Sequence, residues 1–149
     1  MKFNKDDLDF DLLGLAAAHL LSRMSRQRIE FKPRWITAVA KGVTELTQND
    51  FWYFDGQELY IFSATKAGVM YAATSENCQC LAFQRGFPCY HRAAAILICS
   101  LIEKAENEKK EQILADANDT PDADEHGIVE RQASRVVFKS FNCNFLMSR

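Results

Sequence analysis

Apolar residues recur at intervals of three, four and seven positions in two segments near the start of the chain. The first segment runs from Leu8 to Met24, and its spacing predicts an amphipathic helix with one broad apolar face. The second opens at Pro33, which suits the first turn of a helix, and stops at Asn49. We therefore expect two helices before residue 50.

The period of the pattern changes to two after the second helix. An Asp-Gly dipeptide at positions 55–56 is a strong hairpin signal there, because glycine accepts the positive φ that a two-residue turn demands. Closing the chain on those two residues pairs Phe54 with Gln57 and Trp52 with Leu59. We expect the first two strands of an antiparallel sheet at this place.

A third strand and a long helix follow the hairpin. A turn at residues 66–68 leads into an apolar stretch at 69–74, and apolar positions recur at helical spacing from about Pro88 to Ala115. Beyond this helix, residues 116–130 are dominated by Asp, Glu, Asn, Thr, Pro and Ala. Such a segment buries too little apolar surface to offset the entropy of ordering, so we expect a flexible acidic linker.

The composition is that of an ordinary globular protein. The 149 residues carry a formal net charge of −2 and are 48% hydrophobic, which excludes disordered and fibrous classes. No window holds the roughly 18 uninterrupted apolar residues that a membrane span requires. The sequence therefore favours a cytoplasmic protein with no membrane partner. In that reducing compartment the five cysteines are not expected to form disulfides, and metal binding becomes the first function to examine.

Four potential metal ligands fall within fourteen positions: Cys78, Cys80, Cys89 and His91. The two members of each pair are two residues apart, so three thiolates and an imidazole can converge as a closed tetrahedral set for zinc. A catalytic zinc keeps one position open for water, and the fourth protein ligand therefore favours a structural site. Two other interpretations are a redox pair of cysteines and four scattered core residues. Cys99 and Cys143 are not needed to complete the set.

The same segment resembles the SWIM-type zinc finger. The resemblance is carried by the Cys-x-Cys and Cys-x-His pairs, by Tyr-Ala-Ala at 71–73, by Arg-Gly-Phe-Pro at 85–88 and by the alanines at 93–95. It covers residues 69–98, and the preceding hairpin and helix look like the lead-in of small prokaryotic members. SWIM fingers occur in transposases, chromatin-remodelling ATPases and recombination-associated proteins. The resemblance implies zinc at the four ligands and a partner that is DNA or another protein.

With the zinc ligands assigned, the predicted fold class is α+β. It comprises N-terminal helices, a three-stranded antiparallel meander, a zinc knuckle, a long C-terminal helix, and a flexible acidic linker and tail. The corresponding segments are an N-terminal helical part (1–48), the SWIM-type module (49–115), the linker (116–130) and the tail (131–149).

Seven basic residues are candidates for phosphate contacts. They are Arg23, Arg26, Arg28, Lys32, Arg34, Arg85 and Arg92. The alternative is a solvated helix end and loop that binds nothing. A second candidate surface consists of aromatic residues that could stack on bases, although such a cluster is more often the core face of a sheet. Its members are Trp52, Tyr53, Phe54, Tyr60 and Phe62.

The remaining chemistry does not point to an enzyme. The sequence has no recognisable Ser-His-Asp or Cys-His arrangement and no Gly-rich phosphate loop, and His19 and His126 are expected to be packed or solvated. Two functions stay open. One is a zinc-finger protein that binds nucleic acid, DNA rather than RNA, through Arg and Lys contacts to phosphates. The other is a protein-interaction adaptor without nucleic-acid contact.

Overall fold

A computed structural model of the chain describes residues 2–26, 30–63 and 66–118. The helices are α1 (Phe10–Arg26), α2 (Lys32–Gln48), the one-turn α3 (Leu81–Gln84) and α4 (Tyr90–Asn118). The strands are β1 (Phe3–Asn4), β2 (Trp52–Phe54), β3 (Leu59–Phe62) and β4 (Met70–Ala73). They form one antiparallel sheet in the order β1-β2-β3-β4. The predicted α+β class is confirmed.

The two N-terminal helices form where the apolar spacing predicts them. Asp9 Oδ1 accepts hydrogen bonds from the backbone N–H groups of Asp11 and Leu12, which satisfies donors that the first turn of α1 leaves unpaired. Helix α2 begins after Phe31, whose φ of 56° places it in the left-handed region. That conformation is uncommon for a residue with a large side chain and turns the chain sharply between the helices.

The β2–β3 hairpin forms at the predicted place but in a different register. Trp52 pairs with Ile61 and Phe54 with Leu59, so the predicted partners Gln57 and Leu59 are wrong by two residues. The physical reason is the carboxylate of Asp55, which accepts hydrogen bonds from the backbone N–H groups at positions 57 and 58, both at 2.8 Å. These bonds stabilise a four-residue turn in place of the two-residue one.

The aromatic residues of the hairpin divide between two faces. Trp52 and Phe54 are 3% exposed and face the helices, as the core interpretation predicts. Tyr53 and Tyr60 lie on the opposite face, where their rings stack at 4.7 Å with an interplanar angle of 10°. Phe62 is half-buried. The core interpretation is therefore correct for the inward residues of β2 and wrong for the tyrosine pair.

Strand β1 is a fourth strand that the sequence pattern does not predict. Phe3 pairs with Phe54 and Asn4 with Tyr53, so the start of the chain closes the β2 edge of the sheet. Two residues are too short to show an alternating period, and only the pairing with β2 reveals them.

The helices pack on the inward face of the sheet, with α4 at the centre. The side chains of residues 93–95 are fully buried in the core. A Cβ atom added at Gly42 of α2 would lie 3.1 Å from the backbone nitrogen of Ala94 and 3.2 Å from the carbonyl oxygen of Tyr90. Small residues on both helices therefore allow the two backbones to approach closely at the start of α4.

Helix α4 continues to Asn118, three residues past the predicted end at Ala115. The rest of the predicted linker and the tail at 131–149 lie outside the described residues, as do His126 and Cys143. Within the described part of the chain, every helix is too short or too polar to cross a bilayer.

Candidate metal centre

The first ligand pair is placed by a tight turn after β4. The Thr74 hydroxyl oxygen accepts hydrogen bonds from the backbone N–H groups of Glu76 and Asn77, and the Thr74 N–H donates to the carbonyl oxygen of Asn77. The turn returns the chain so that Cys78 pairs with Ala73 as an antiparallel bridge. Cys80 then stands at the position that opens α3, and its backbone N–H lies 3.5 Å from Sγ of Cys78. The two thiols therefore share one side of the turn.

The second pair is placed by the end of α3 and the start of α4. Gly86 has a φ of 76°, and its N–H donates to Phe83 while the N–H of Phe87 donates to Ala82. These two bonds form a Schellman motif, which ends a helix and requires a residue that tolerates the left-handed conformation. The chain then passes through Pro88 into α4, where Cys89 precedes the helix and His91 lies in its first turn.

The four predicted ligands meet in one buried cluster. One donor atom from each of Cys78, Cys80, Cys89 and His91 lies within 4.8 Å of the others. Each of these residues is only 3–5% exposed. Both ring nitrogens of His91 are buried without a hydrogen-bond partner. A buried ring nitrogen without a partner is costly, and a metal ion would satisfy the nitrogen to which it binds.

The thiols perturb one another strongly. A hydrogen bond from the Cys89 thiol, aided by His91, lowers the pKa of Cys78 to about 4. The pKa of Cys89 is raised, because its thiol is the donor to Cys78 and because it is buried. Burial also raises the pKa of Cys80. The cluster thus holds one thiolate stabilised by its neighbours, and thiolates are the form in which cysteine binds a metal ion.

Arg92 connects the metal centre to the helices. Its guanidinium donates through Nε and Nη2 to the carbonyl oxygen of Ser75, at 3.2 and 2.8 Å. The same group lies over the rings of Trp35 and Phe83, at 5.4 and 5.1 Å from their centroids. This cation therefore braces the turn that precedes Cys78 against α2 and α4.

An open cleft of about 570 Å³ lies against the metal centre, between α2, α3 and the start of α4. Three of the ligands, Cys80, Cys89 and His91, form part of its wall. Three cations also line it, namely Arg34, Lys41 and Lys66, and among the described residues no Asp or Glu does so. None of these cations forms a salt bridge with a described residue. The cleft is therefore a positively charged opening.

The other predicted phosphate-contact residues are distributed around the molecule. Arg23 and Arg26 are exposed at the end of α1, and Lys32 donates to the carbonyl oxygen of Ser25 at 3.1 Å. Arg85 is exposed at the end of α3. Arg28 lies outside the described residues. Of the six candidates that the structure describes, only Arg34 lines the cleft.

Sequence reasoning missed several side chains that line the cleft. Lys41 lies seven residues after Arg34 on α2, a spacing that puts both on one helix face and could have identified it. Phe87 and Tyr90 lie close to the third ligand, Cys89, in the sequence, and this proximity could have identified them as well. Lys66 reaches the cleft from the β3–β4 connection, and no local pattern marks it.

Comparisons with known proteins agree with this geometry. A search of curated proteins and a search of solved structures each found no match. The model of the SWIM zinc finger family matches residues 70–100, which run from β4 through all four ligands into the buried half of α4. The match confirms the resemblance seen in the sequence, and residues 70–100 are the part of the chain that is similar to a SWIM zinc finger.

Proposed function

We propose that the protein is a structural zinc protein that binds nucleic acid, DNA in the first place, through the cations of its cleft. The choice of zinc follows from the donor set, since three thiolates and one imidazole in a compact, buried cluster suit tetrahedral Zn²⁺. A reducing compartment such as the cytoplasm keeps these thiols available for the metal.

The role of the metal is structural and the protein is a binding module, not an enzyme. Four protein ligands fill a tetrahedral shell and leave no position for a water molecule or a substrate. The ligands are contributed by the turn after β4 and by the start of α4, two elements that Arg92 also links through its hydrogen bonds to Ser75. When bound, zinc would supply the cross-link between them, so the free energy of metal binding becomes free energy of folding.

The observation that carries the nucleic-acid proposal is the charge of the cleft. A zinc ion with three thiolates and a neutral imidazole has a formal charge of −1. The cations at positions 34, 41 and 66 exceed it, and no carboxylate of a described residue lines the cleft. A phosphate backbone is the ligand that such an opening attracts, and Arg23, Arg26 and Arg85 add exposed positive charge elsewhere on the surface.

The salt dependence of binding tests this function. In the zinc-loaded full chain, replacing Arg34, Lys41 and Lys66 together by Ala should weaken binding to all oligonucleotides and lower the magnitude of the salt slope by about 2–3. A matched control replaces Lys104, Lys109 and Lys110 of α4, which lie away from the cleft, and should change the slope little. No measurable affinity for DNA or RNA at about 50 mM salt would refute the function.

The second candidate is a protein-interaction adaptor, and the outward face of the sheet favours it. Phe51 is 69% exposed, Tyr53 46% and Met70 38%, and together with the half-buried Tyr60 and Phe62 they form an apolar surface. Such a surface suits a protein partner. Salt-tolerant binding of a protein, lost on replacing Tyr53 and Met70 by Ser and kept by the cleft triple variant, would favour the adaptor over the nucleic-acid function.

A further inference from the structure

The cleft beside the metal centre pairs cations with aromatic rings in two places. The guanidinium carbon of Arg34 lies 4.0 Å from the ring centroid of Phe87, and Nζ of Lys41 lies 4.4 Å from that of Tyr90. We propose that this cleft binds a single-stranded nucleic acid, with a base against these rings and the adjoining phosphates on the cations. The inference rests on the proposed function and specifies the strandedness of the ligand and the place of contact.

The pairing of cation and ring couples two binding events. A cation–π contact at an exposed position is weaker than a charge-assisted bond to a phosphate, so an arriving strand draws Arg34 and Lys41 from their rings. Each ring face that is uncovered in this way becomes a platform on which a base can stack. Phosphate binding and base binding therefore support each other within one nucleotide of the strand.

The framework around the rings keeps this platform in place. Phe31 packs edge-to-face on Phe87 with ring centroids 5.5 Å apart, and Tyr90 lies at the start of α4 against the imidazole of His91. The Phe87 ring is therefore held by Phe31, which precedes α2, and the Tyr90 ring by His91 of the metal centre. Preorganised rings lose little conformational freedom on binding, which favours affinity.

The shape of the cleft favours a single strand over a duplex. At about 570 Å³ it has the volume of a small-molecule pocket, large enough for a nucleotide unit. In a duplex the base faces are covered by neighbouring bases and only the edges are open in the grooves. An acidic peptide could also meet the three cations, but it offers no flat rings to stack on Phe87 and Tyr90. The aromatic surface therefore favours nucleic acid.

The test compares strandedness and stacking in the zinc-loaded full chain. Fluorescence anisotropy at about 50 mM salt measures binding of a 16-mer oligothymidylate, a 16-mer oligouridylate and a duplex of mixed sequence. We expect at least one single strand to bind about tenfold more tightly than the duplex, and the two single strands tell DNA from RNA. Phe87→Leu should weaken single-strand binding about tenfold and leave duplex binding unchanged. Phe87→Tyr, which keeps an aromatic ring, should retain single-strand binding.

Two matched controls isolate the cleft. Phe51→Leu makes the same substitution at an exposed ring outside the cleft, and Lys109→Ala removes an exposed cation of α4 as a control for Lys66→Ala. Lys66→Ala should lower the magnitude of the single-strand salt slope by about 0.7, and neither control should change binding. Zinc content and melting temperature establish that each variant is folded. If Phe87→Leu does not fold, the residue that photo-crosslinks to a 5-bromouracil strand in the unmodified protein decides the contact, with Phe87 or Tyr90 expected.

The outcomes separate this inference from the function on which it rests. Three results would overturn the inference without affecting the proposal of nucleic-acid binding. They are equal affinity for duplex and single strands, equal effects of Phe87→Leu and Phe51→Leu, and a crosslink outside the cleft. No binding of any oligonucleotide overturns both. In that case saturable binding of an Asp- and Glu-rich peptide, lost in Lys66→Ala, would assign the cleft to a protein partner.

Discussion

The junction between β4 and α4 and the turn between β2 and β3 both reverse the chain, yet they are held by opposite means. At the junction, four ligands that are 3–5% exposed converge from two elements, and the backbone of α2 packs closely behind them. At the turn, the single exposed carboxylate of Asp55 accepts two backbone hydrogen bonds. The junction therefore depends on metal and packing, and the turn depends on local hydrogen bonds in water.

This contrast indicates that a substitution at the junction should destabilise the core, whereas a substitution at the turn should have only a local effect. Loss of a ligand leaves buried thiols and an imidazole without a partner beside the fully buried residues of α4, so the cost extends into the core. Loss of the turn carboxylate exposes two backbone N–H groups that water can satisfy. Substitutions at four positions, ordered by expected effect, test this difference.

Cys89→Ser should have the largest effect. The free energy of unfolding should fall by more than about 4 kcal/mol, because the fourth ligand is lost and the metal site supplies folding energy. Urea unfolding together with metal analysis measures both stability and zinc per chain. Cys99→Ser, at a half-buried cysteine outside the cluster, is the control and should retain the full zinc content. Wild-type stability and zinc in Cys89→Ser would show that the junction does not depend on the metal.

Gly42→Ala tests the packing behind the junction. The added Cβ meets backbone atoms of α4 at 3.1 and 3.2 Å, so one helix must shift, and we expect a loss of about 1–2 kcal/mol in thermal unfolding. Gly14→Ala in α1 is the matched control, since nothing lies within 4 Å of the new Cβ. It should stabilise the protein by up to about 1 kcal/mol through helix propensity. Effects of equal sign in the two variants would contradict the close approach of α2 and α4.

Arg92→Lys removes the fork that holds the turn before Cys78 while keeping the charge. A lysine cannot reproduce both hydrogen bonds to the Ser75 carbonyl, and a loss of about 1 kcal/mol is expected. Arg85→Lys, on an exposed residue, should leave chemical unfolding unchanged. In competition with a chelator, Arg92→Lys should lose zinc faster than the wild type, and Arg85→Lys should lose it at the wild-type rate. Equal rates of zinc loss in all three proteins would show that Arg92 does not support the metal centre.

Replacement of Asp55 by Ala should have the smallest effect on the free energy of unfolding. Hydrogen bonds from the backbone at Glu58 and Gln57 lower the pKa of its carboxyl group. Its charged form is therefore favoured in the folded state, and the stabilisation is present above the ordinary Asp pKa and is lost as pH falls through the lowered value. Because the group is exposed, the cost of Asp55→Ala should stay below about 1 kcal/mol.

Asp55→Asn separates charge from hydrogen bonding at the same turn. The amide oxygen still accepts both bonds, so this variant should lie between wild type and Asp55→Ala at neutral pH. The difference between wild type and Asp55→Asn should shrink as pH is lowered from 7 to about 3. Melting curves across this range check the sign. A difference that grows on acidification would contradict the lowered pKa.

The same contrast explains what the sequence predicts and what it does not. The ligand set could be identified because its chemistry is local: the spacing of Cys and His within fourteen positions brings the right atoms together. The hairpin register could not be predicted, because it depends on whether the Asp55 carboxylate accepts hydrogen bonds from the backbone N–H groups of residues 57 and 58. The cleft depends on Lys66 and Arg34 meeting from different elements, a tertiary event with no local pattern. Strand β1 is likewise defined only by its partner.

Burial of the ligands also governs their reaction with oxidants and alkylating reagents. A thiol reacts when a reagent reaches it, and Cys78, which is 3% exposed and does not line the cleft, is reached only after the junction opens. Cys99 is half-buried and is the most accessible cysteine among the described residues, so it should be modified before the others. The rate at which an alkylating reagent modifies Cys78 therefore reports how often this part of the protein opens.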